Sequence, residues 1–156
     1  METEEGPRYP AKLSRPVFRN VLQRERLFSP LDCERGEPLV WVSGPAGCGK
    51  TTLISSYLDQ RKLPSIWYQM DEGDNDPGTF FHYLELALRK KTGEKASLPK
   101  FIPGHSLDIK TFSQRFFEKF FHKLPQDLVI VFDSFPVEPP GYVMDVAANL
   151  RYLNRG

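Results

Sequence analysis

Residues 39–52, Leu39-Val-Trp-Val-Ser-Gly44-Pro-Ala-Gly47-Cys48-Gly49-Lys50-Thr51-Thr52, decide the fold. The first part, Leu39–Ser43, is a continuous apolar run, which is typical of a strand buried on both faces in a parallel sheet. Residues 44–51 then match the pattern Gly-x4-Gly-Lys-Ser/Thr. Apolar residues recur at helical spacing after the loop, which predicts a helix over Lys50–Gln60. The pattern therefore stands between a predicted strand and a predicted helix, the context that it requires.

The glycine loop has the residue types that bind nucleotide phosphates. Glycines allow the loop to wrap with its amides pointing inward, and the following helix directs its positive N-terminal end at the same place. Lys50 is expected to reach the β and γ phosphates, and the Thr51 hydroxyl to coordinate Mg²⁺. The residues predicted to contact the nucleotide are Gly44, Pro45, Ala46, Gly47, Cys48, Gly49, Lys50, Thr51 and Thr52.

A second signal lies downstream, in the apolar strand Leu128–Phe132 followed by Asp133. It delivers one carboxylate at the carboxyl end of a strand, where the ligands of open α/β sheets gather. Together with the glycine loop this is a Walker B pattern, and it predicts Asp133 as the second magnesium residue. Efficient ATPases usually place another carboxylate next, but this chain has Ser134, which is no comparable base at neutral pH. We therefore expect at most slow ATP hydrolysis.

Strands and helices alternate along the rest of the chain. Ser65–Met70 is a predicted strand, and Asp76 is expected to cap a helix that begins at Pro77. A helix over Leu107–Lys123 carries five phenylalanines whose spacing indicates a buried face, and Val143–Leu153 is the last predicted helix. This alternation predicts an α/β fold with a parallel sheet flanked by helices.

The composition is that of an ordinary globular protein with one domain. Of 156 residues, 40% are hydrophobic and 26% charged, and the longest apolar run is far shorter than the ~20 residues of a spanning helix. The first residues lack the features of a secretory signal, so a cytoplasmic location without membrane contact is expected. A net charge of +1 offers no overall electrostatic case for a nucleic-acid partner. We divide the chain into an irregular lead-in, residues 1–38 with a short helix near Asn20–Leu31, and a domain over residues 39–156.

Several segments together resemble the N-terminal ATPase module of MalT-like regulators of the LuxR type, which belong to the STAND class of signal-transduction ATPases. The resemblance covers Lys12–Asp133. Its most family-specific part is the stretch Asp-Asn-Asp-Pro-x-x-Phe-Phe-x-Tyr-Leu, residues 74–84, since the glycine loop occurs in many unrelated proteins. The other matching segments are Lys12–Pro16, Val21–Leu27, Gly44–Leu53 and Trp67–Asp71.

The resemblance implies an ATP switch, in which bound ATP stabilises an open form that self-associates or pairs with related ATPase domains. A separate sensor domain and a C-terminal helix-turn-helix would supply inducer and DNA recognition, and no DNA-binding domain is expected in this chain. The resemblance also implies that Arg24, which precedes the glycine loop, lies near the adenine.

The family's fold also has parts that this sequence lacks. Folds of this class place a fourth strand between the strand before the glycine loop and the Walker B strand, and nothing after Asp133 has a strand pattern. Either the chain stops before that strand, or a helix and a strand are deleted before Glu138. The prediction is therefore an incomplete P-loop NTPase fold that lacks the fourth and fifth strands and the sensor arginine.

Two other functions remain open at this stage. Many small P-loop kinases of metabolites have about this length, although the chain lacks an arginine-rich lid and an obvious acceptor-binding aspartate after its second strand. An inactive fragment, or an interaction partner of full-length relatives, is the other alternative.

Overall fold

The computed structural model describes residues 8–93 and 97–153, in which helices flank a small parallel sheet. The helices are α1 (Glu25–Cys33), α2 (Lys50–Gln60), α3 (Pro77–Thr92), α4 (Ile109–His122) and α5 (Gly141–Leu153). The strands are β1 (Ser65–Gln69) and β2 (Val129–Asp133). Short 3-10 turns lie at Ala11–Leu13, Glu34–Gly36, Glu72–Asn75 and Pro103–Asp108. None of the helices within these ranges has both the length and the apolar character needed to cross a membrane.

The sheet consists of β1 and β2 side by side in parallel, with Gln69 opposite Asp133. The ladder continues past both strand ends: the Val129 N–H donates to the Pro64 carbonyl at 3.0 Å, and the Met70 N–H donates to the Asp133 carbonyl at 2.8 Å. The predicted α/β class with parallel strands is therefore confirmed. Because the strands are parallel, their carboxyl ends meet at one edge, and Asp133 lies at that edge.

The strand predicted at Leu39–Ser43 is wrong, because the segment has no regular secondary structure. Leu39, Val40 and Trp41 are 52%, 41% and 65% exposed, whereas a strand buried on both faces would hide all three. The physical reason is that no described strand pairs with the segment. A buried strand needs an adjacent strand to bond its backbone N–H and C=O groups, and neither β1 nor β2 does so for this segment.

The helix predictions are close to the structure. Helix α2 has the predicted bounds, and α3 begins at Pro77 with the Asp76 carboxylate accepting the Thr79 N–H at 2.8 Å. The helix in the lead-in lies at Glu25–Cys33, a few residues after its predicted position. These starts depend on local sequence, on a cap or a proline at the first turn, and local sequence suffices to predict them.

Two apolar clusters cover the two faces of the sheet. On one face, Ile66 and Tyr68 pack with residues of α3, α4 and α5, and on the other Trp67 packs with residues of α1 and α2. All five predicted core phenylalanines of α4 are buried on the first face: Phe112, Phe116, Phe117, Phe120 and Phe121. Helices thus lie on both faces of the sheet, as the alternation of elements predicts.

A partly buried ionic cluster ties the lead-in to the sheet. The Lys12 ammonium lies 3.1 Å from Asp74 Oδ2 and 2.9 Å from Asp71 Oδ2, and it sits over the Tyr68 and Tyr83 rings. The Asp74 side chain, 2% exposed, also accepts the Tyr68 hydroxyl and the Asp71 N–H. Burial, with the hydrogen bond to Asp74, raises the pKa of Tyr68, so the phenol remains a donor at neutral pH.

We expect Asp74→Asn to lower the free energy of unfolding by about 2–4 kcal/mol, because it leaves Lys12 with fewer compensating groups in a buried place. Equilibrium urea unfolding measures this loss. The matched control is Glu72→Gln in the same loop, whose side chain is exposed and whose effect should stay within about 0.5 kcal/mol. Equal effects of the two substitutions would contradict a stabilising role for the cluster.

Candidate nucleotide-binding site

The glycine loop leads directly into α2 and has an unusual backbone. Gly47 and Gly49 have φ angles of +76° and +86°, in the left-handed region that other residues rarely adopt. The Cys48 N–H donates to the Pro45 carbonyl at 3.2 Å, which closes a turn over Ala46 and Gly47. The loop conformation thus depends on glycine at one position that the motif specifies, Gly49, and at one that it leaves open, Gly47.

Lys50 folds back over this loop. Its ammonium donates to the Gly44 carbonyl at 2.7 Å and to the Pro45 carbonyl at 3.1 Å, and it lies 3.8 Å from Cys48 Sγ. The side chain is half-buried. A positive charge is therefore held at the loop by neutral carbonyl oxygens, which anionic phosphate oxygens could replace with a stronger, charge-assisted contact.

Thr51 and Asp133 meet at the carboxyl edge of the sheet, although 82 residues separate them in sequence. The Thr51 hydroxyl lies 3.0 Å from each Asp133 carboxylate oxygen, and Asp133 also accepts the Ser134 N–H at 3.0 Å. Both groups are oxygen ligands, which Mg²⁺ prefers, and both are half-buried. No cluster of three or more His, Cys, Asp or Glu in the described ranges could hold a metal alone. A magnesium ion here would fit only with further oxygens from water and phosphate.

Arg24 lies against the same loop. Its Nη1 donates to the Cys48 carbonyl at 3.1 Å, and a Cβ on Gly49 would stand 3.5 Å from its Nη2. A cavity of about 180 Å³ opens beside this contact. Its lining comes from the lead-in, the loop and α2: Val21, Leu22, Arg24, Phe28, Gly49, Thr52, Leu53 and Ser56. Of these residues, the sequence analysis predicted only Arg24, Gly49 and Thr52 as part of the nucleotide site.

The apolar wall of the cavity depends on how α1 packs on α2. Asp32 of α1 accepts the Tyr57 hydroxyl at 2.8 Å and Arg61 Nη2 at 2.8 Å. The hydrogen bonds from Arg61 and then Tyr57 lower the pKa of Asp32 to about 2, so it is ionised at neutral pH. Phe28, one turn before Asp32, is fully buried and packs edge to face on Tyr57. The apolar pair Val21-Leu22 within a charged segment is the sequence feature from which this apolar wall could have been predicted.

A larger cavity, about 380 Å³, lies at the opposite end of β1, away from the loop. Two of the cations that line it already have protein partners. Lys90 donates to the Leu13 carbonyl and the Ser14 hydroxyl, and Arg15 donates to the Ser55 carbonyl. These cations hold the lead-in in place, and we do not assign a ligand to this cavity.

Comparison with known proteins gives matches over part of the chain. The HTH-type transcriptional regulator MalT of Cronobacter sakazakii is 45% identical over 85 residues, 54% of this chain and 9% of the relative. MalT proteins of two Klebsiella pneumoniae strains are 44% identical over 85 residues, with the same coverage. The chain is thus homologous to these transcriptional regulators over about half of its length, and it spans about a tenth of theirs. No family model and no solved structure matches it.

We expect Gly49→Ala to lower the free energy of unfolding by about 1–2 kcal/mol, because alanine must adopt the left-handed φ of +86° beside Arg24. Urea unfolding measures the change. Gly104→Ala is the control: its new methyl would meet nothing within 4 Å, and the backbone needs no positive φ. The control should be neutral or slightly stabilising, and an equal loss in both variants would contradict the role given to the loop backbone.

Proposed function

We propose that this chain is an ATP-binding switch module of a MalT-like, LuxR-type transcriptional regulator, truncated or degenerate, with slow or no hydrolysis. The observation that carries the proposal is the contact of Thr51, which follows Lys50 at the start of α2, with Asp133 at the end of β2. Two distant parts of the sequence thereby contribute the residue types that nucleotide and magnesium require. Homology to MalT regulators over about half of the chain supports the regulatory assignment.

The phosphates would bind at the glycine loop. Lys50 would release the Gly44 and Pro45 carbonyls and form charge-assisted hydrogen bonds to the phosphates, while the loop amides and the N-terminus of α2 add further donors. Thr51 and Asp133 would hold Mg²⁺, which neutralises phosphate charge when it is bound. The hydrogen bond between them must open for this, so the nucleotide exchanges existing contacts instead of filling an empty site.

The base would lie in the cavity beside Arg24. A volume of about 180 Å³ is below the range of about 300–1,000 Å³ for sites that enclose a whole ligand, so it suits one part of a nucleotide. Apolar side chains of Val21, Leu22 and Phe28 line it, which suits a flat aromatic ring. Because these residues belong to the lead-in and α1, nucleotide binding would couple the lead-in to the loop.

Slow turnover follows from the residue after Asp133. Ser134 is exposed, has a left-handed φ of +57° and donates its N–H to Asp133, and its hydroxyl cannot act as a general base at neutral pH. A site that binds ATP and turns it over slowly can hold one state for a long time. Such persistence is what a switch requires, whereas a metabolic kinase requires release.

We expect Lys50→Ala to weaken ATP-Mg²⁺ binding about 10- to 100-fold, since it removes hydrogen bonds from a charged group to phosphate. Titration of a fluorescent ATP analogue, with and without Mg²⁺, measures this change. Lys100→Ala removes the same charge from an exposed loop position and should leave the affinity unchanged. A folded wild-type protein that binds no nucleotide, or equal affinities of wild type and Lys50→Ala, would remove the nucleotide-site assignment.

We expect wild-type hydrolysis to be far slower than the ~10 per second that is typical of dedicated enzymes. Ser134→Asp should raise the single-turnover rate only modestly, because it adds a carboxylate but no sensor arginine. Aspartate tolerates the left-handed backbone at this position. Ser134→Asn, of similar shape without the charge, should give no increase. A wild-type rate near that of dedicated enzymes would refute the switch and revive the kinase alternative.

A further inference from the structure

Gln69 is the last residue of β1 and lies beside Asp133 at the carboxyl edge of the sheet. The parallel register places the two residues opposite each other. Trp67 and Val131, the pair two residues earlier, both pack in the cluster that contains residues of α1 and α2. Because the side chains of a strand alternate between its two faces, the side chains of Gln69 and Asp133 are on this same face. It is the face of α2, whose Thr51 hydroxyl contacts Asp133 at 3.0 Å.

The Gln69 amide group has no partner within the described ranges. Gln69 is exposed, although residues 66–68 before it are buried. Its side chain forms no hydrogen bond with any described residue, whereas Lys50, Thr51 and Asp133 of the candidate site all have such partners. A polar side chain thus ends an otherwise buried strand at the edge where the ligands of α/β sheets gather.

An amide oxygen at this place suits a hydrated magnesium ion. Mg²⁺ prefers oxygen ligands in octahedral geometry and usually keeps several waters, whose hydrogen atoms need acceptors. Neighbouring strands lie about 4.7–4.9 Å apart, a distance that the long glutamine side chain can bridge toward Asp133. The Gln69 carbonyl would add an acceptor without adding charge. Its loss should therefore affect the cation and not the phosphates.

We propose that Gln69 is a third protein residue of the magnesium site, with its Oε1 accepting a hydrogen bond from a water of the cation that Thr51 and Asp133 hold. This inference rests on the proposed nucleotide function and names a further residue of the same site. Neither the glycine loop nor the Walker B strand includes Gln69, which belongs to the strand between them in sequence. Groups that orient the ligands of a metal in this way typically contribute to metal affinity.

Titration with Mg²⁺ at a fixed concentration of a fluorescent ATP analogue tests this role. Gln69→Ala should raise the Mg²⁺ concentration at half effect about 3- to 10-fold, as expected for the loss of one hydrogen bond. It should leave the nucleotide affinity measured in EDTA unchanged. Gln69→Glu should lower the Mg²⁺ requirement but weaken binding in EDTA, because a carboxylate attracts the cation and repels phosphate.

The matched control is Gln114→Ala, which removes the same amide group from an exposed position on α4 and should change neither quantity. Equal Mg²⁺ requirements of wild type and Gln69→Ala, with nucleotide bound by both, would overturn the inference and leave the proposed function intact. A folded wild-type protein that binds no nucleotide would instead remove the proposed function, and this inference with it.

A second measurement uses the unmodified chain and decides the matter if the Gln69 variants do not fold. Mn²⁺ replaces Mg²⁺ as a paramagnetic probe in the presence of ATP. It should broaden the NMR resonances of the Gln69 side-chain amide, because broadening falls steeply with distance from the ion. The resonances of Gln114 should stay sharp, since α4 packs on the other face of the sheet. Sharp Gln69 resonances in the Mn²⁺–ATP complex would overturn the inference.

Discussion

The parallel pairing of β1 with β2 is the constraint on which the rest of this structure depends. It aligns Gln69 with Asp133 and so fixes the edge at which the carboxylate appears. It also sends Trp67 to one apolar cluster and Tyr68 to the other, so each face of the sheet holds its own set of helices. A shift of one residue in this register would turn the side chains of one strand to the opposite face of the sheet, away from the helices against which they now pack.

Local sequence predicted the elements that depend on neighbours along the chain. Lys50–Gln60 and the helix start at Pro77 follow from a loop, a cap and a proline, and the structure has them where they were expected. Leu39–Ser43 has the sequence of a strand but not the structure, since its state depends on a neighbour far along the chain. The contact of Lys12 with Asp74 spans 62 residues and leaves no local signal. Juxtaposition of Thr51 and Asp133 was predictable because a known motif specifies it.

The glycine loop is held by its own charges. Lys50 donates to two loop carbonyls, and the Thr51 hydroxyl bonds to the Asp133 carboxylate. Each of these three side chains therefore has a hydrogen-bond partner. Any anion that binds there must outcompete these contacts, which favours a ligand with several phosphate oxygens and a bound cation over a single small anion. If the proposed nucleotide binds here, its selection over small anions would therefore not need a deep cavity.

The exposure of Trp41 has a spectroscopic consequence. The chain has two tryptophans, and they lie in opposite surroundings: Trp41 is 65% exposed and packs on Phe135, while Trp67 is 3% exposed inside β1. Water dipoles relax around an exposed excited indole and lower its emission energy, whereas a buried indole emits at shorter wavelength. A collisional quencher in solution would quench the emission of Trp41 and leave that of Trp67 unchanged. The intrinsic fluorescence of the chain thus contains two separable signals, one from the surface beside Phe135 and one from the core.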